Sequence, residues 1–217
     1  MTPPATLIFD LDGTLSEPAQ GIGRSINFAL AAHRFEPIDE TTVSRFIGPP
    51  LDETFRTITG LDSPALIRSL VDRYRERYAE VGYAENALYP GIAEALHDLS
   101  NRGCVLGVCT SKRGDFAEQI LQLFELRELF AFVSGGDIGI SKHQQLERLL
   151  AEGVVSPAST MIGDRSVDIV AARGNGLSSV GVLWGHGSEP ELVEAGAEVI
   201  LRHVAELSTL ARGIARA

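Results

Sequence analysis

The stretch Leu7-Ile8-Phe9-Asp10-Leu11-Asp12-Gly13-Thr14-Leu15 decides the fold that we predict for this chain. Apolar residues lead directly into two aspartates and a glycine, a pattern that predicts a buried β-strand with an abrupt end. Side chains alternate along a strand, so an extended backbone places Asp10 and Asp12 on one face. Two adjacent carboxylates at the end of a buried strand repel each other and need a positive partner. Carboxylate oxygens suit a hard divalent cation, and we predict Mg²⁺.

The composition restricts the class of protein. A length of 217 residues with 44% hydrophobic residues allows a large core that carries an inserted module. The net charge of −10 argues against partners such as a nucleic-acid polymer or an anionic membrane surface.

Cys104 and Cys109 lie on one predicted strand, about 16 Å apart at roughly 3.3 Å per residue, which is too far for a disulfide. The first residues lack the pattern of a signal peptide, and no apolar run has the length of a membrane span. We therefore expect a cytoplasmic protein with reduced cysteines.

Residues 17–86 show helical rather than strand periodicity. Ile22, Ile26 and Leu30 recur at spacings of four, as do Leu70 and Tyr74 further along. We predict a cap domain of four or five helices over residues 17–86, inserted into a core domain formed by residues 1–16 and 87–217.

From residue 89 onward, apolar strands alternate with amphipathic helices. Such alternation predicts an α/β fold, a Rossmann-like parallel sheet with helices on both faces. Ligands of such sheets bind at the carboxyl ends of the strands. The predicted strands that follow the first one cover residues 104–110, 131–134, 160–163, 179–184 and 198–201.

Polar residues follow several of these strands, and the topology brings them to one edge of the sheet. They are Thr110-Ser111-Lys112, Lys142, Asp164 after Gly163, and Asp168 four residues later. Each also has a simpler interpretation. Lys142 alone is typical of a surface lysine, and Lys112 competes with it for the role of the cation at the site. Ser111 is the alternative to Thr110 as the hydroxyl group. Asp164 also suits a helix N-cap. Their order along the chain, each after a strand, favours a shared site.

The Asp-x-Asp-Gly-Thr-Leu string and the groups that follow it resemble the haloacid dehalogenase-like hydrolases, most of which are phosphatases. The resemblance covers nearly the whole chain. It implies that Asp10 is the nucleophile that forms an aspartyl-phosphate, and that Asp12 is the general acid and base. It implies that Thr110 binds a phosphate oxygen and that Lys142 stabilises the charge of the phosphoryl group. Asp10, Asp164 and the backbone carbonyl of Asp12 are the implied Mg²⁺ ligands, and Asp168 is implied to lie at the metal or in its outer shell.

The helical insertion resembles the phosphoglycolate phosphatase-like branch of the family. Ser16-Glu17-Pro18 after the first strand and His143 after Lys142 depart from the common members of that branch. Together with Gly163-Asp164-Arg165 and Val182-Leu183-Trp184-Gly185, they are more similar to the 5′-nucleotidase-like subgroup.

We therefore predict a Mg²⁺-dependent phosphatase, a monomer or homodimer, that acts on a small phosphorylated metabolite. The candidates are 2-phosphoglycolate and a nucleoside 5′-monophosphate. A phosphosugar mutase and a non-catalytic phosphate-binding module are the alternatives. Predicted substrate contacts are Ser111, Arg24, Arg45 and Gly48, and His186 lies in a loop that can reach the rim of the site.

Overall fold

The computed structural model describes residues 5–136 and 140–212. Residues 1–4, on which the expectation about a signal peptide depends, lie outside this part. The chain divides into two compact units. The larger unit consists of Met1–Ser16 and Leu88–Ala217, and the smaller unit is Glu17–Ala87.

The secondary structure alternates strands and helices from residue 87 onward. The strands are β1 (Thr6–Phe9), β2 (Ser16–Glu17), β3 (Ala87–Leu88), β4 (Val105–Arg113), β5 (Phe130–Gly136), β6 (Thr160–Gly163), β7 (Ser178–Val182) and β8 (Val199–Leu201). The α-helices are α1 (Ala19–Ala32), α2 (Leu51–Thr59), α3 (Pro64–Glu80), α4 (Ile92–Asn101), α5 (Gly114–Leu123), α6 (Lys142–Ala151), α7 (Ser166–Gly174) and α8 (Glu189–Ala195). Short 3₁₀ helices cover Glu40–Phe46, Gly82–Ala84, Arg127–Leu129 and Val204–Arg212.

Six strands of the larger unit form one parallel sheet in the order β5-β4-β1-β6-β7-β8. β1 lies inside the sheet, with Ile8 opposite Gly107 of β4 on one side and Met161 of β6 on the other. On one side of β1 the sheet continues with β4 and β5, and on the other side with β6, β7 and β8. The carboxyl ends of β4, β1 and β6 therefore form the topological switch point, where ligands of such sheets bind. The predicted α/β class is confirmed.

The core of the larger unit explains why these apolar runs became strands. Ile8, Cys109 and Met161 come from three adjacent strands and share one buried cluster with Leu146 of α6 and Ala172 of α7. Both cysteines are buried free thiols. The polar residues after the strands are therefore held by a sheet whose apolar side chains pack against helices.

The strand that carries Thr110 is longer than the sequence predicted. β4 continues through Ser111 and Lys112 to Arg113, which pairs with Gly136 after an irregularity in the register. A Cβ atom at Gly135 would lie 2.1 Å from Cα of Gly114, so only glycine permits this close approach of the two backbones. β7, in contrast, ends at Val182, two residues before the predicted end at Trp184.

The smaller unit is helical, as the spacing of its apolar residues predicted, and consists of three α-helices and two 3₁₀ helices in the described range. The rings of Tyr74 and Tyr78 on α3 are stacked at 5.4 Å, and Phe55 of α2 meets Tyr74 edge-on at 6.5 Å. The guanidinium of Arg77 lies beside Glu85 and holds the pKa of that carboxyl below its ordinary value. The role of this unit as a cap stays a prediction.

Within residues 5–136 and 140–212, we find no helix with the length and hydropathy required to cross a bilayer.

The pairing of Gly107 with Phe132 on β5 gives a test of the packing that supports β4. A Cβ atom at Gly107 would lie 2.1 Å from Cζ of the Phe132 ring. We expect Gly107→Ala to lower the free energy of unfolding by about 1–3 kcal/mol, the usual cost of overpacking. In the Phe132→Val background the same change should cost less, because the ring is gone. Urea denaturation of the four proteins measures the difference, and equal costs in both backgrounds would contradict the contact.

Candidate active site

The candidate site forms where β1, β4 and β6 end. Asp10 follows β1 directly, and its backbone N–H donates to the carbonyl of Ile162 on β6 at 2.9 Å. Asp164 follows β6, and Thr110 lies in β4. Because β1 pairs with both neighbours, these three residues meet at one edge of the sheet, as the sequence predicted.

Three buried carboxylates converge at this edge. Asp10, Asp164 and Asp168 each present one carboxylate oxygen, and these oxygens all lie within 4.8 Å of one another. Asp168 comes from the first turn of α7, where its Oδ2 accepts a hydrogen bond from the N–H of Arg165 at 3.0 Å. We call these three residues the carboxylate cluster.

The carboxylate cluster carries more negative charge than its surroundings neutralise. Burial raises the pKa of Asp164, and the charges of Asp168 and Asp10 raise it further. Burial also raises the pKa of Asp168, against the opposing effect of Lys142. Three hard oxygen donors with one lysine among them fit a divalent cation such as Mg²⁺, because such a cation removes the remaining repulsion.

Lys142 is the lysine that contacts the carboxylate cluster. It is the first residue of α6, placed there by the capping box of Ser141 and Gln144. Its Nζ lies 3.0 Å from Oδ1 of Asp10 and also pairs with Oδ1 of Asp168. Burial favours the neutral amine, but the charges of Asp10 and Asp168 outweigh this effect and raise the pKa of Lys142.

Asp12 lies apart from the cluster and has a lysine of its own. Its Oδ2 is 2.9 Å from Nζ of Lys112, and the two side chains are 15% and 7% exposed. Burial raises the pKa of Asp12, and the ammonium of Lys112 opposes that shift. The sequence suggested Lys112 only as a competitor of Lys142, whereas the structure brings both lysines to the site with different partners.

A signal in the composition could have identified Lys112. The sequence has 19 basic residues, and Lys112 and Lys142 are its only lysines, since all the others are arginines. Lysine provides a compact point charge, while the planar guanidinium of arginine needs more space. Lysine thus occurs in this chain only at the two places where a small cation must enter a crowded carboxylate site.

Thr110 is held by contacts that the sequence did not reveal. Its Oγ1 accepts a hydrogen bond from the N–H of Lys112 at 3.2 Å. Its carbonyl accepts one from Nε2 of Gln145 at 3.2 Å, and Oε1 of Gln145 accepts from the hydroxyl of Ser134 at 3.0 Å. Gln145 lies on α6 three residues after Lys142, so these bonds fix the start of α6 against β4.

The loop after β7 closes the other side of the site. Nε1 of Trp184 donates to the carbonyl of Thr14 at 2.9 Å, and the N–H of His186 donates to Oδ2 of Asp164 at 2.8 Å. The sequence placed His186 near the rim, and the structure brings its backbone to a member of the carboxylate cluster.

Two glycines of this loop permit its close approach. A Cβ atom at Gly185 would lie 2.1 Å from the carbonyl oxygen of Gly13, and one at Gly187 would lie 1.8 Å from the carbonyl oxygen of Asp164. Side chains at these positions would separate the loop from the turn that carries Asp12. The glycines therefore permit the loop to pack directly against this turn and against Asp164.

The motifs and their geometry agree with a comparison of the sequence with protein families. Residues 7–182 match the family described as haloacid dehalogenase-like hydrolase. The chain belongs to this family. The family recognition and the prediction of a hydrolase of this kind are thus confirmed.

Individual relatives within the haloacid dehalogenase-like family carry different names. A protein of Pseudomonas aeruginosa named 5′-nucleotidase is 40% identical, over 86% of this chain and 86% of its own length. The tyrosine-protein kinase PtkA of Mycobacterium tuberculosis is 34% identical, over 95% of this chain and 71% of its own length. A phosphoglycolate phosphatase of Agrobacterium fabrum is 31% identical, over 93% of this chain and 89% of its own length.

A solved structure supports the fold over almost the whole length. The crystal structure of a predicted phosphatase from Clostridium acetobutylicum superposes with a TM-score of 0.88 at 33% identity. It covers 96% of this chain and 98% of that one.

The predicted substrate contacts of this haloacid dehalogenase-like protein are divided between the two units. Ser111 is exposed on β4. In the smaller unit Arg24 pairs with Glu85 at 2.7 Å, Arg45 is exposed in a 3₁₀ helix, and Gly48 is exposed with φ of +103°. Contact of these residues with a substrate stays a prediction.

The charge balance of the site makes Lys142 important for stability. We expect Lys142→Met to lower the free energy of unfolding by about 3–5 kcal/mol in the presence of a chelator, because the buried carboxylates then lack their cation. Urea denaturation at neutral pH measures the loss.

Arg148→Met is the matched control on the same helix. Arg148 pairs with Glu152 at 2.7 Å, but its side chain is 77% exposed, so little change in stability is expected. Equal midpoints for Lys142→Met and the parent protein would show that Lys142 does not offset the carboxylates.

Proposed function

We propose that this protein is a Mg²⁺-dependent phosphatase that hydrolyses a small phosphomonoester through an aspartyl-phosphate on Asp10. The observation that supports this function best is the arrangement of the two aspartates of the Asp-x-Asp motif. Asp10 belongs to the carboxylate cluster with Lys142, whereas Asp12 lies outside it and pairs with Lys112. One aspartate is thereby suited to nucleophilic attack and the other to proton transfer.

Asp10, Asp164 and Asp168 would hold the Mg²⁺ with their carboxylates, and Asp12 would add its backbone carbonyl. When bound, the cation neutralises charge on the phosphoryl oxygens and on the carboxylates that face them. The close packing around Asp164 supports this assignment, because a Cβ atom at Gly13 would lie 2.3 Å from its Oδ2. The carboxylate is thus held in place before any ligand arrives.

In the first step, a carboxylate oxygen of Asp10 forms a bond to phosphorus while the bond from phosphorus to the leaving oxygen breaks. Asp12 gives its proton to that oxygen, so the product leaves as a neutral alcohol. Lys142 holds Asp10 by its Oδ1 and offsets charge that develops on the phosphoryl group. Thr110 already accepts the N–H of Lys112, which leaves its own hydroxyl hydrogen for a phosphoryl oxygen.

In the second step, water attacks the phosphorus of the aspartyl-phosphate. Asp12, now ionised, takes a proton from the water as the bond between Asp10 and phosphorus breaks. Inorganic phosphate is released, and both aspartates return to their initial states. Phosphoryl transfer of this kind depends on in-line placement and charge neutralisation. The contact of Lys142 with Asp10 supports the proposal that this site meets the second requirement.

The proposed substrate is a nucleoside 5′-monophosphate or 2-phosphoglycolate. The relative named 5′-nucleotidase is 40% identical and the one named phosphoglycolate phosphatase is 31% identical, which ranks the nucleotide first. His143 after Lys142 supports the same order, because it departs from the common phosphoglycolate phosphatase pattern.

A panel of phosphomonoesters tests the function. We expect release of inorganic phosphate from one substrate class in the presence of Mg²⁺ and none with excess chelator. The panel holds nucleoside 5′-monophosphates, 2-phosphoglycolate, sugar phosphates and p-nitrophenyl phosphate. Conversion of a sugar phosphate to an isomer without release of phosphate would favour a mutase. In a separate reaction that contains a nucleoside triphosphate and a tyrosine-containing peptide, transfer of the terminal phosphoryl group to the peptide would favour a kinase instead.

Asp10→Asn tests the nucleophile. The amide has nearly the same shape but cannot form the aspartyl-phosphate, so turnover should fall by at least about 10³-fold. Circular dichroism should show an unchanged fold. Full hydrolysis by Asp10→Asn would refute the proposed intermediate.

A further inference from the structure

The two carboxylate oxygens of Asp12 have different surroundings. Oδ2 lies 2.9 Å from Nζ of Lys112. Oδ1 is buried and has no hydrogen-bond partner within residues 5–136 and 140–212. One oxygen of this carboxylate is therefore paired with an ammonium group, whereas the other has no hydrogen bond in the described part of the chain.

Lys112 is itself fixed in the larger unit. It lies on β4, the neighbour of β1 in the sheet, and Arg113 still pairs with Gly136 beyond it. Its N–H donates to Oγ1 of Thr110 at 3.2 Å, and its side chain is 7% exposed. The strand thus fixes the backbone of Lys112, and burial restricts the side chain that reaches Asp12.

The two lysines of the chain divide the two aspartates of the motif between them. Lys142 contacts Asp10 and Asp168, and Lys112 contacts Asp12. The ion pair that the structure gives Lys112 is with the second aspartate of the motif, Asp12. Its contact is with the residue that transfers the proton.

We propose that Lys112 is a positioning residue for proton transfer: it holds Oδ2 of Asp12 so that Oδ1 faces the leaving oxygen and, later, the attacking water. This inference rests on the proposed role of Asp12 in the phosphatase reaction. Lys112 acts through Asp12 and makes no bond to the substrate.

The proposal predicts a dependence on the leaving group. An alkyl alcohol needs a proton as it leaves, whereas p-nitrophenolate is stable without one. Lys112→Met should therefore slow the pre-steady-state release of alcohol from the best alkyl phosphate of the panel by about 10²-fold, which is at the lower end of what a positioned acid contributes. The burst of p-nitrophenol from p-nitrophenyl phosphate should change by only a few-fold.

The steady state should show the second role of Asp12. Breakdown of the aspartyl-phosphate needs the same carboxylate as a base, whichever substrate formed it. Lys112→Met should therefore retain the p-nitrophenol burst but turn over slowly afterwards. Lys112→Arg keeps a cation near Asp12 and should recover part of the lost rate.

A double-mutant cycle separates positioning from substrate binding. Asp12→Asn should show the same dependence on the leaving group, and adding Lys112→Met to it should cause little further loss. If Lys112 bound the substrate instead, Lys112→Met would raise KM for both phosphate esters and would still do so in the Asp12→Asn background. That result would overturn the proposal.

The remaining outcomes distinguish this proposal from the proposed function. An active parent with equal losses of burst rate for alkyl and aryl esters in Lys112→Met would overturn the role of Lys112 alone. A parent protein that releases no phosphate from any ester would overturn both. Thermal melting of Lys112→Met and Lys112→Arg checks the fold, and the arginine variant keeps the test decisive if the methionine variant unfolds.

Discussion

Repulsion among the carboxylates of Asp10, Asp164 and Asp168 is the constraint on which the rest of the site depends. Burial strengthens this repulsion, because the surrounding protein screens charge less than water does. In an apolar environment without cations or hydrogen-bond donors, the three carboxylates would become protonated or would lie further apart. The chain instead brings a lysine and backbone N–H groups to the same edge of the sheet. The starts of α6 and α7 and the loop after β7 each bring one of these groups to the cluster.

Backbone N–H groups donate several of the hydrogen bonds that stabilise the carboxylates, and glycines allow these N–H groups to come close. Asp168 accepts the N–H of Arg165 at the start of α7, and Asp164 accepts the N–H of His186. The second bond requires a loop that approaches the turn after β1 with no Cβ atoms in between, which explains Gly185 and Gly187. The indole of Trp184 then joins the loop to Thr14. Contacts of this kind restrain the carboxylates, and phosphoryl transfer is sensitive to small displacements of the reacting groups.

The sequence predicts those parts of the site that depend only on residues close together in the chain. An apolar run that ends in Asp10 or Asp164 predicts a strand and its polar end, and the parallel topology then brings these ends together. The extension of β4 to Arg113 could not be predicted, because it depends on the approach of Gly135 to Gly114 from another strand. The contact between Lys112 and Asp12 has the same origin, since Lys112 reaches the site only because the strand continues. No sequence motif marks Gln145, so its hydrogen bond to the carbonyl of Thr110 could be found only from the structure.

The two lysines suggest how one core can serve different reactions. Relatives of this chain are named 5′-nucleotidase, phosphoglycolate phosphatase and tyrosine-protein kinase, so membership of the family does not determine which group accepts the phosphoryl unit. In the proposed mechanism Asp10 and Lys142 handle the phosphoryl group, whereas Asp12 and Lys112 handle the oxygen that leaves or attacks. The first pair is held by β1 and the start of α6, and the second by the turn after β1 and the extension of β4. In this mechanism a change of the acceptor alters the proton transfer that Asp12 must perform. The attack of Asp10 on the phosphoryl group stays the same. The end of β4 therefore contributes Lys112 to the second pair, whereas the carboxylate cluster takes its members from other elements.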